Sequence, residues 1–291
     1  MTRDLGTLVT LACLLEANAP KPGNVSPGRH FADSRHEQFV ASAVVIGPVL
    51  GGAGSRPLGQ TIRQAVERTA AWTRTNTNLG LVLLLAPLAR AVTLSTPTMT
   101  ATDLRAGVRA ALAATTVDDA RDAYAAIRIA NPGGLGTAPD QDVAAEPTVT
   151  LLEAMRLAAG RDAIAREYAT GYATTFELGL PALRAARTAG LGWDDAVVET
   201  GLTLMAHAPD THIARRAGST AALEVQSEAA RVVAAGGVRT PEGRQAMDRL
   251  DTTLRDARHL RNPGATADLT GAAILAALLG GAWTETMGAE Q

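Results

Sequence analysis

Apolar residues recur at helical spacing along most of the chain, and clusters of Gly, Pro and small polar residues interrupt them at short intervals. Leu5, Leu8, Val9, Ala12, Cys13 and Leu15 predict a first helix that Pro20 stops. Phe39, Val40, Ala43, Val44 and Ile46 predict a second, with Ser34-Arg35-His36-Glu37 as the capping box that opens it. Gly51 to Gly54 lacks the Gly-Lys-Ser/Thr of a phosphate loop and reads as a hinge before a helix from about Leu58 to Arg74. Thr75-Asn76-Thr77-Asn78-Leu79-Gly80 leads into an almost wholly apolar helix. Thr100-Ala101-Thr102-Asp103 and Val117-Asp118-Asp119 start two more. Asn131 to Pro147, with Asp140, Asp142 and Glu146, reads as a solvated surface loop, a lid being the alternative. Helices resume over Val149 to Ala159, over Ile164 to Ala189 with a kink or break at Pro181, and over Trp193 to Met205. No alternating pattern of strand length occurs. The fold expected is all-α, ten or more helices in a single compact domain spanning residues 1–291, with no internal repeat.

Composition narrows the function. Hydrophobic residues make up 46% of 291, ample for a buried core. A formal net charge of −2 and 3% aromatics argue against nucleic acid as a partner. Cys13 is alone, which excludes an intramolecular disulfide and a cysteine-based metal cluster, and its apolar surroundings suggest core packing. Met1-Thr2-Arg3-Asp4 does not open like a secretory leader, and the apolar run Leu79 to Ala89 falls short of the ~20 residues that span a bilayer. A soluble cytoplasmic protein, with no membrane partner, is the expectation; a homo-oligomer stays open.

Chemistry gathers where helices meet loops. Pro20-Lys21-Pro22-Gly23-Asn24-Val25 carries the one lysine among 27 basic residues. Lysine is a compact point charge that arginine does not replace, so Lys21 has either a dedicated role or none beyond composition. Glu16, at the end of the first helix, opposes the helix dipole and calls for a cation or metal nearby, or for solvent. Asp33 and His30 are candidate ligands or simply capping and loop residues. Asn76 and Asn78 exceed what one cap needs, leaving groups to bond a sugar or phosphate. His207-Ala208-Pro209-Asp210-Thr211-His212-Ile213-Ala214-Arg215-Arg216 joins an acid, histidines and two arginines that cannot both face one ligand from a helix. Asn262-Pro263-Gly264-Ala265-Thr266-Ala267-Asp268 feeds an apolar helix, with Thr266 the expected cap and Asp268 in its first turn.

Taken in order, PKPGNV, the His30/Asp33 pair, the Asn/Thr segment, Asp210-Thr211 with its arginines, and NPGATADL resemble the triphosphoribosyl-dephospho-coenzyme A synthase family over nearly the whole chain. TNTNLG followed by LLLAPLA is most similar to a subgroup from archaea and one-carbon-metabolising bacteria. The resemblance implies a transferase that moves the triphosphoribosyl group of ATP to a ribose hydroxyl of dephospho-coenzyme A, releasing adenine. It implies Mg2+ as cofactor and ATP and a coenzyme A-like acceptor as partners. On that basis Lys21 is assigned to phosphate and the catalytic set, with Arg215 or Arg216 as a second clamp. Asn24, Asn76, Asn78, Thr211, Asn262, Gly264 and Thr266 are assigned to substrate. Asp210 and Asp268 are assigned to magnesium or general base, Asp33 and Glu16 to magnesium after them, and His30 and His212 last. The better-characterised branch carries Asn-Thr-His-Lys-Gly where this chain reads Asn76-Thr77-Asn78-Leu79-Gly80. That difference leaves open another acceptor, as in a tetrahydromethanopterin-like pathway. An all-α metal-dependent phosphohydrolase and a non-catalytic nucleotide- or coenzyme-binding protein are the readings from other classes.

Overall fold

The computed structural model describes residues 4–93 and 100–283; Met1 to Arg3, read above against a leader, lie outside the described residues. Among those described, fourteen α-helices account for the architecture: α1 Leu5–Asn18, α2 His36–Gly51, α3 Leu58–Ala70, α4 Leu79–Val92, α5 Ala101–Ala113, α6 Val117–Ala130, α7 Leu151–Ala158, α8 Ala163–Thr170, α9 Leu180–Thr188, α10 Trp193–His207, α11 Thr211–Ala217, α12 Ser219–Ala234, α13 Pro241–Leu254 and α14 Gly264–Leu279. The described residues contain no strand, only an isolated bridge between Ser26 and Arg29.

Two helices are apolar on every face, and both are buried. From Leu81 to Ala89 every residue of α4 is buried, and so is Leu269 to Leu278 of α14. A helix without a polar face must be surrounded. The two pack on each other, α1, α9 and α10 close around α14, and α3 and α5 flank α4. Pro87 sits inside α4 and removes the N–H that would have bonded the carbonyl of Leu83. The buried Tyr168 hydroxyl donates to that carbonyl at 2.7 Å, and Tyr172 donates to the Leu84 carbonyl at 2.8 Å. Each tyrosine therefore satisfies a main-chain acceptor in a region that water does not reach.

Several element ends differ from the sequence expectation. Arg35, not Ser34, precedes α2, and the Gln38 side chain accepts from its N–H at 2.8 Å, while Ser34 bonds Asp33. The long 164–189 helix breaks at Gly171 and Tyr172, both at positive φ, rather than at Pro181, which lies in the first turn of α9 where it is tolerated. Glu167, fully buried, takes the N–H groups of Thr174 and Thr175 and the Thr175 hydroxyl, which stabilises the break. At α14 the helix starts three residues early. Thr266 is not its cap, and Asp268 falls in the second turn.

Candidate active site

A cavity of about 310 Å³ opens where the N-terminal ends of α4, α8 and α14 meet α1, α6, α7 and the 131–148 segment. One side is apolar, with Tyr124, Ile127, Leu135, Leu151, Met155 and Ile164. The other carries Glu16, Asn24, Asn76, Asn78, Asp162, His212, Arg215, Asn262 and Asp268, with Arg161, Asp140 and Asp142 nearby in the lining.

Segments far apart in sequence are pinned there by identifiable contacts. Gly23, at φ 75°, packs on Leu254 and Pro263 and donates its N–H to Asp251 at 2.7 Å. Arg255 bonds the Asn24 carbonyl at 2.7 Å, and Asn24 donates to the Asn262 side chain at 2.8 Å. The proline-flanked loop and the Asn-Pro-Gly lead-in thus form one wall. Asn76 accepts from the Leu79 N–H at 3.0 Å and caps α4. The next two N–H groups of α4 have no acceptor within the helix, and Gly80 and Leu81 both line the cavity. Ala265 stands in the same relation to α14, and such helix ends favour anions.

The candidate residues separate into two groups. Glu16, Asn24, Asn76, Asn78, Arg215, Asn262, Gly264, His212 and Asp268 line the cavity. Lys21, Asp210, Thr211, Arg216, Thr266, Asp33 and His30 do not. Lys21 is 2% exposed, and its ammonium lies 2.9 Å from a Glu16 carboxylate oxygen and donates to the Glu16 carbonyl. It is the cation that the C-terminal end of α1 required. Its stem passes Gly201, whose missing Cβ would lie 3.2 Å from Lys21 Cδ, with Thr270 beside it. A slot that narrow suits a linear side chain and not a planar guanidinium, which explains a lysine in an arginine-rich protein.

Asp210, 4% exposed, caps α11 with one oxygen on the N–H groups of His212 and Ile213; the other takes the Thr266 N–H and hydroxyl, both at 2.7 Å. Those donors occupy it as a joint between α11 and α14. Thr211 accepts from the Ala163 N–H at 3.1 Å and ties α11 to α8. As helical geometry demands, the two arginines diverge. Arg215 reaches Asp162 at 2.6 Å beside the cavity, and Arg216 bonds the carbonyls of Arg258 and His259. Asp33 and His30 are exposed; His30 accepts from the His36 N–H at 3.3 Å.

The Asp268 carboxyl has no hydrogen bond or ion pair to a described residue, which among the acids of the lining it shares only with the exposed Asp140. Burial first, then the carboxylates of Glu16, Asp210 and Asp162, push it well above the usual carboxylate range, and Arg215 opposes them. His212, also in the lining, moves the other way. Burial lowers its imidazole, Asp210 and the Asn262 backbone oppose that, and Arg215 and Arg216 add to it. Its Nδ1 is enclosed without a partner. The surroundings of Asp268 thus favour its protonated form and those of His212 its neutral form, which drives the two groups toward opposite tasks.

Arg161 escaped the sequence reading, and so did the role of the segment before it. Its guanidinium makes no ion pair or hydrogen bond to a described residue, which leaves it available to a ligand. The 131–148 segment is largely exposed, as expected of a surface loop, and it is also tied down as one wall of the cavity. Tyr124 and Arg128 donate to the carbonyls of Gln141 and Val143 at 2.6 and 2.7 Å, and Gln141 exchanges bonds with Thr148. Its length without secondary structure was the available signal.

A cleft among helix N-termini, with an acid pushed toward its protonated form and an arginine that makes no ion pair to a described residue, suits an anionic ligand. The chain belongs to the CitG family, ATP:dephospho-CoA triphosphoribosyl transferase, whose family model matches residues 2–287. It is 41% identical over 103 residues to the 2-(5''-triphosphoribosyl)-3'-dephosphocoenzyme-A synthase of Pectobacterium atrosepticum, covering 35% of this chain and 32% of that one. A probable synthase of the same kind from Pseudomonas fluorescens is 36% identical over 112 residues, 38% of each chain. The alignments thus span about a third of the length of these curated relatives. The fold is similar to that of an Archaeoglobus fulgidus protein named for triphosphoribosyl-dephospho-coA synthase activity, with TM-score 0.65, 27% identity, and coverage of 84% of this chain and 99% of that one. Among the described residues no helix is long and apolar enough to cross a membrane.

Proposed function

We propose that this protein transfers the triphosphoribosyl group of ATP to a ribose hydroxyl of dephospho-coenzyme A and releases adenine, in the cytoplasm, where both substrates are made. The observation that carries the reading is Asp268, an unpartnered carboxyl in the cavity lining whose burial and acidic neighbours favour its protonated form. As the bond from C1′ of the ribose to adenine breaks, Asp268 gives its proton to the departing base. The acceptor hydroxyl forms the new O–C1′ bond, and neutral His212 takes the hydroxyl proton. Return of that proton to Asp268 restores the resting state. Arg161, Arg215 and the free N–H groups of α4 and α14 hold the phosphates.

Magnesium fits this lining. Glu16, Asp140, Asp142 and Asp162 outnumber Arg161 and Arg215, so a triphosphate needs additional positive charge. Glu16 keeps one oxygen free of Lys21 and would hold the ion. No group of three metal-ligating side chains occurs among the described residues, and a phosphate-borne magnesium needs only one or two carboxylates. When bound, the ion neutralises phosphate charge.

One observation favours a second acceptor. Leu79, where the better-characterised branch carries lysine, is buried in the cavity lining and supplies no cation. An acceptor with fewer phosphates, such as a pterin-type cofactor precursor in the archaeal subgroup, suits that difference. The test is adenine release from ATP and Mg2+ with each acceptor, in the wild type and in Asp268→Asn. Acceptor-dependent adenine that Asp268→Asn abolishes supports the reading. Phosphate in place of adenine would make the protein a hydrolase, and thermal stabilisation by ATP without turnover would make it a binding protein.

A further inference from the structure

The second residue of α4, Gly80, has no backbone reason to be glycine. Its φ lies outside the left-handed region, and in a helical turn alanine is the more favourable residue. What occupies the place of its side chain is Asp268, reaching across from α14. A Cβ on Gly80 would lie 2.0 Å from Asp268 Oδ2 and 2.6 Å from its Cγ, separations no real contact shows. The carboxyl makes no hydrogen bond to a described residue, so packing against the bare backbone of Gly80 is what fixes it. Three neighbouring acids are held differently. Asp162 and Asp210 cap helices, and Glu16 pairs with Lys21.

We propose that Gly80 is a positioning residue for the reaction, giving up its side-chain volume so that Asp268 stands at the start of α4 facing the cavity. The inference rests on the reading of Asp268 as the proton donor. Any side chain at position 80 must move the carboxyl by about 1 Å, from 2.0 Å to at least 3.0 Å, while leaving the phosphate-binding N–H groups and Arg161 untouched. A 1 Å misplacement of a reacting group costs about 100-fold in rate.

The experiment is a double-mutant cycle on the full chain, read by adenine release with ATP, Mg2+ and dephospho-coenzyme A and, independently, by thermal unfolding. Gly80→Ala should lower kcat about 100-fold and leave KM for ATP within about two-fold, and should cost little further rate in an Asp268→Asn background. In unfolding, Gly80→Ala should lower Tm alone but raise it in an Asp268→Ala background, where the clashing atoms are gone. Wild-type kcat in Gly80→Ala, a KM effect in place of a kcat effect, or additive losses would overturn the proposal. So would wild-type kcat in Asp268→Asn, which removes the acid it rests on. If the wild type itself releases no adenine, the reaction proposed above fails instead. The unfolding cycle then decides the Gly80–Asp268 contact, and additive Tm shifts overturn it.

Discussion

Replacing Lys21 by methionine separates a structural role from a phosphate-binding one. Lys21 and Glu16 are 2% and 8% exposed and their charged atoms stand 2.9 Å apart. Removing one partner of a buried pair strands the other charge and typically costs about 3–5 kcal/mol. Here the ammonium also caps the Glu16 carbonyl, so the upper part of that range is expected. At roughly 2–4 °C of Tm per kcal/mol for a large domain, Lys21→Met should melt about 6–20 °C lower than wild type. Adding Glu16→Gln removes the stranded charge, and the double variant should recover more than half of the loss. The assays are urea unfolding of the two variants and, below the melting range of each, KM for ATP. A loss under about 1 kcal/mol for Lys21→Met, combined with a KM for ATP raised tenfold or more, would refute the buried-pair account and return Lys21 to the phosphates.

Asp268→Asn should abolish adenine release yet raise stability at neutral pH. A folded carboxyl shifted upward makes the native state bind its proton more tightly than the unfolded chain, so wild-type stability falls as pH rises above the ordinary aspartate value of about 3.9. The Tm advantage of Asp268→Asn should therefore widen from pH 5 to pH 8, and a constant difference would contradict the shift. Arg161→Gln removes a charge-assisted hydrogen bond of about 1.5–3 kcal/mol to substrate, which predicts a roughly 10- to 100-fold lower kcat/KM at unchanged Tm. A Tm loss would mean that Arg161 holds the fold. Tyr168→Phe leaves the Leu83 carbonyl beside Pro87 without its donor and should cost about 1–3 kcal/mol in urea unfolding, with KM unaffected.

The all-α class was legible because helical spacing and capping boxes are local. Thr100 and Asp103 bond as their sequence suggests, and Val117-Asp118-Asp119 opens α6. Element ends set by tertiary contacts were not. Thr266 has the composition of a cap, but its N–H and hydroxyl are taken by Asp210, 56 residues away in the chain. The same applies to the site. The segments that carry it were visible as polar clusters at helix junctions. Which member of each cluster faces the cavity depended on partners the sequence does not reveal. Asp210 and Asp268 read alike as carboxylates beside helix starts, and only the donors around Asp210 and the bare Gly80 beside Asp268 tell joint from acid.

The charge of the cavity shows why that distinction governs function. In the proposed reaction a triphosphate would enter a lining in which Glu16 already faces Lys21 and Arg215 already faces Asp162, leaving Arg161 without an ion pair to a described residue. An ionised Asp268 there would repel the phosphates at short range in a poorly solvated space. Held protonated, it adds no charge and keeps a proton to donate. The cluster of carboxylates, unfavourable for a polyanion, thus adds to burial in raising Asp268, since Glu16, Asp210 and Asp162 all push in that direction. Neutralising any one of them should lower the Asp268 pKa and move the alkaline limb of adenine release to lower pH. Glu16→Gln is the variant to measure at saturating Mg2+, and an unmoved limb would show that burial alone sets the acid.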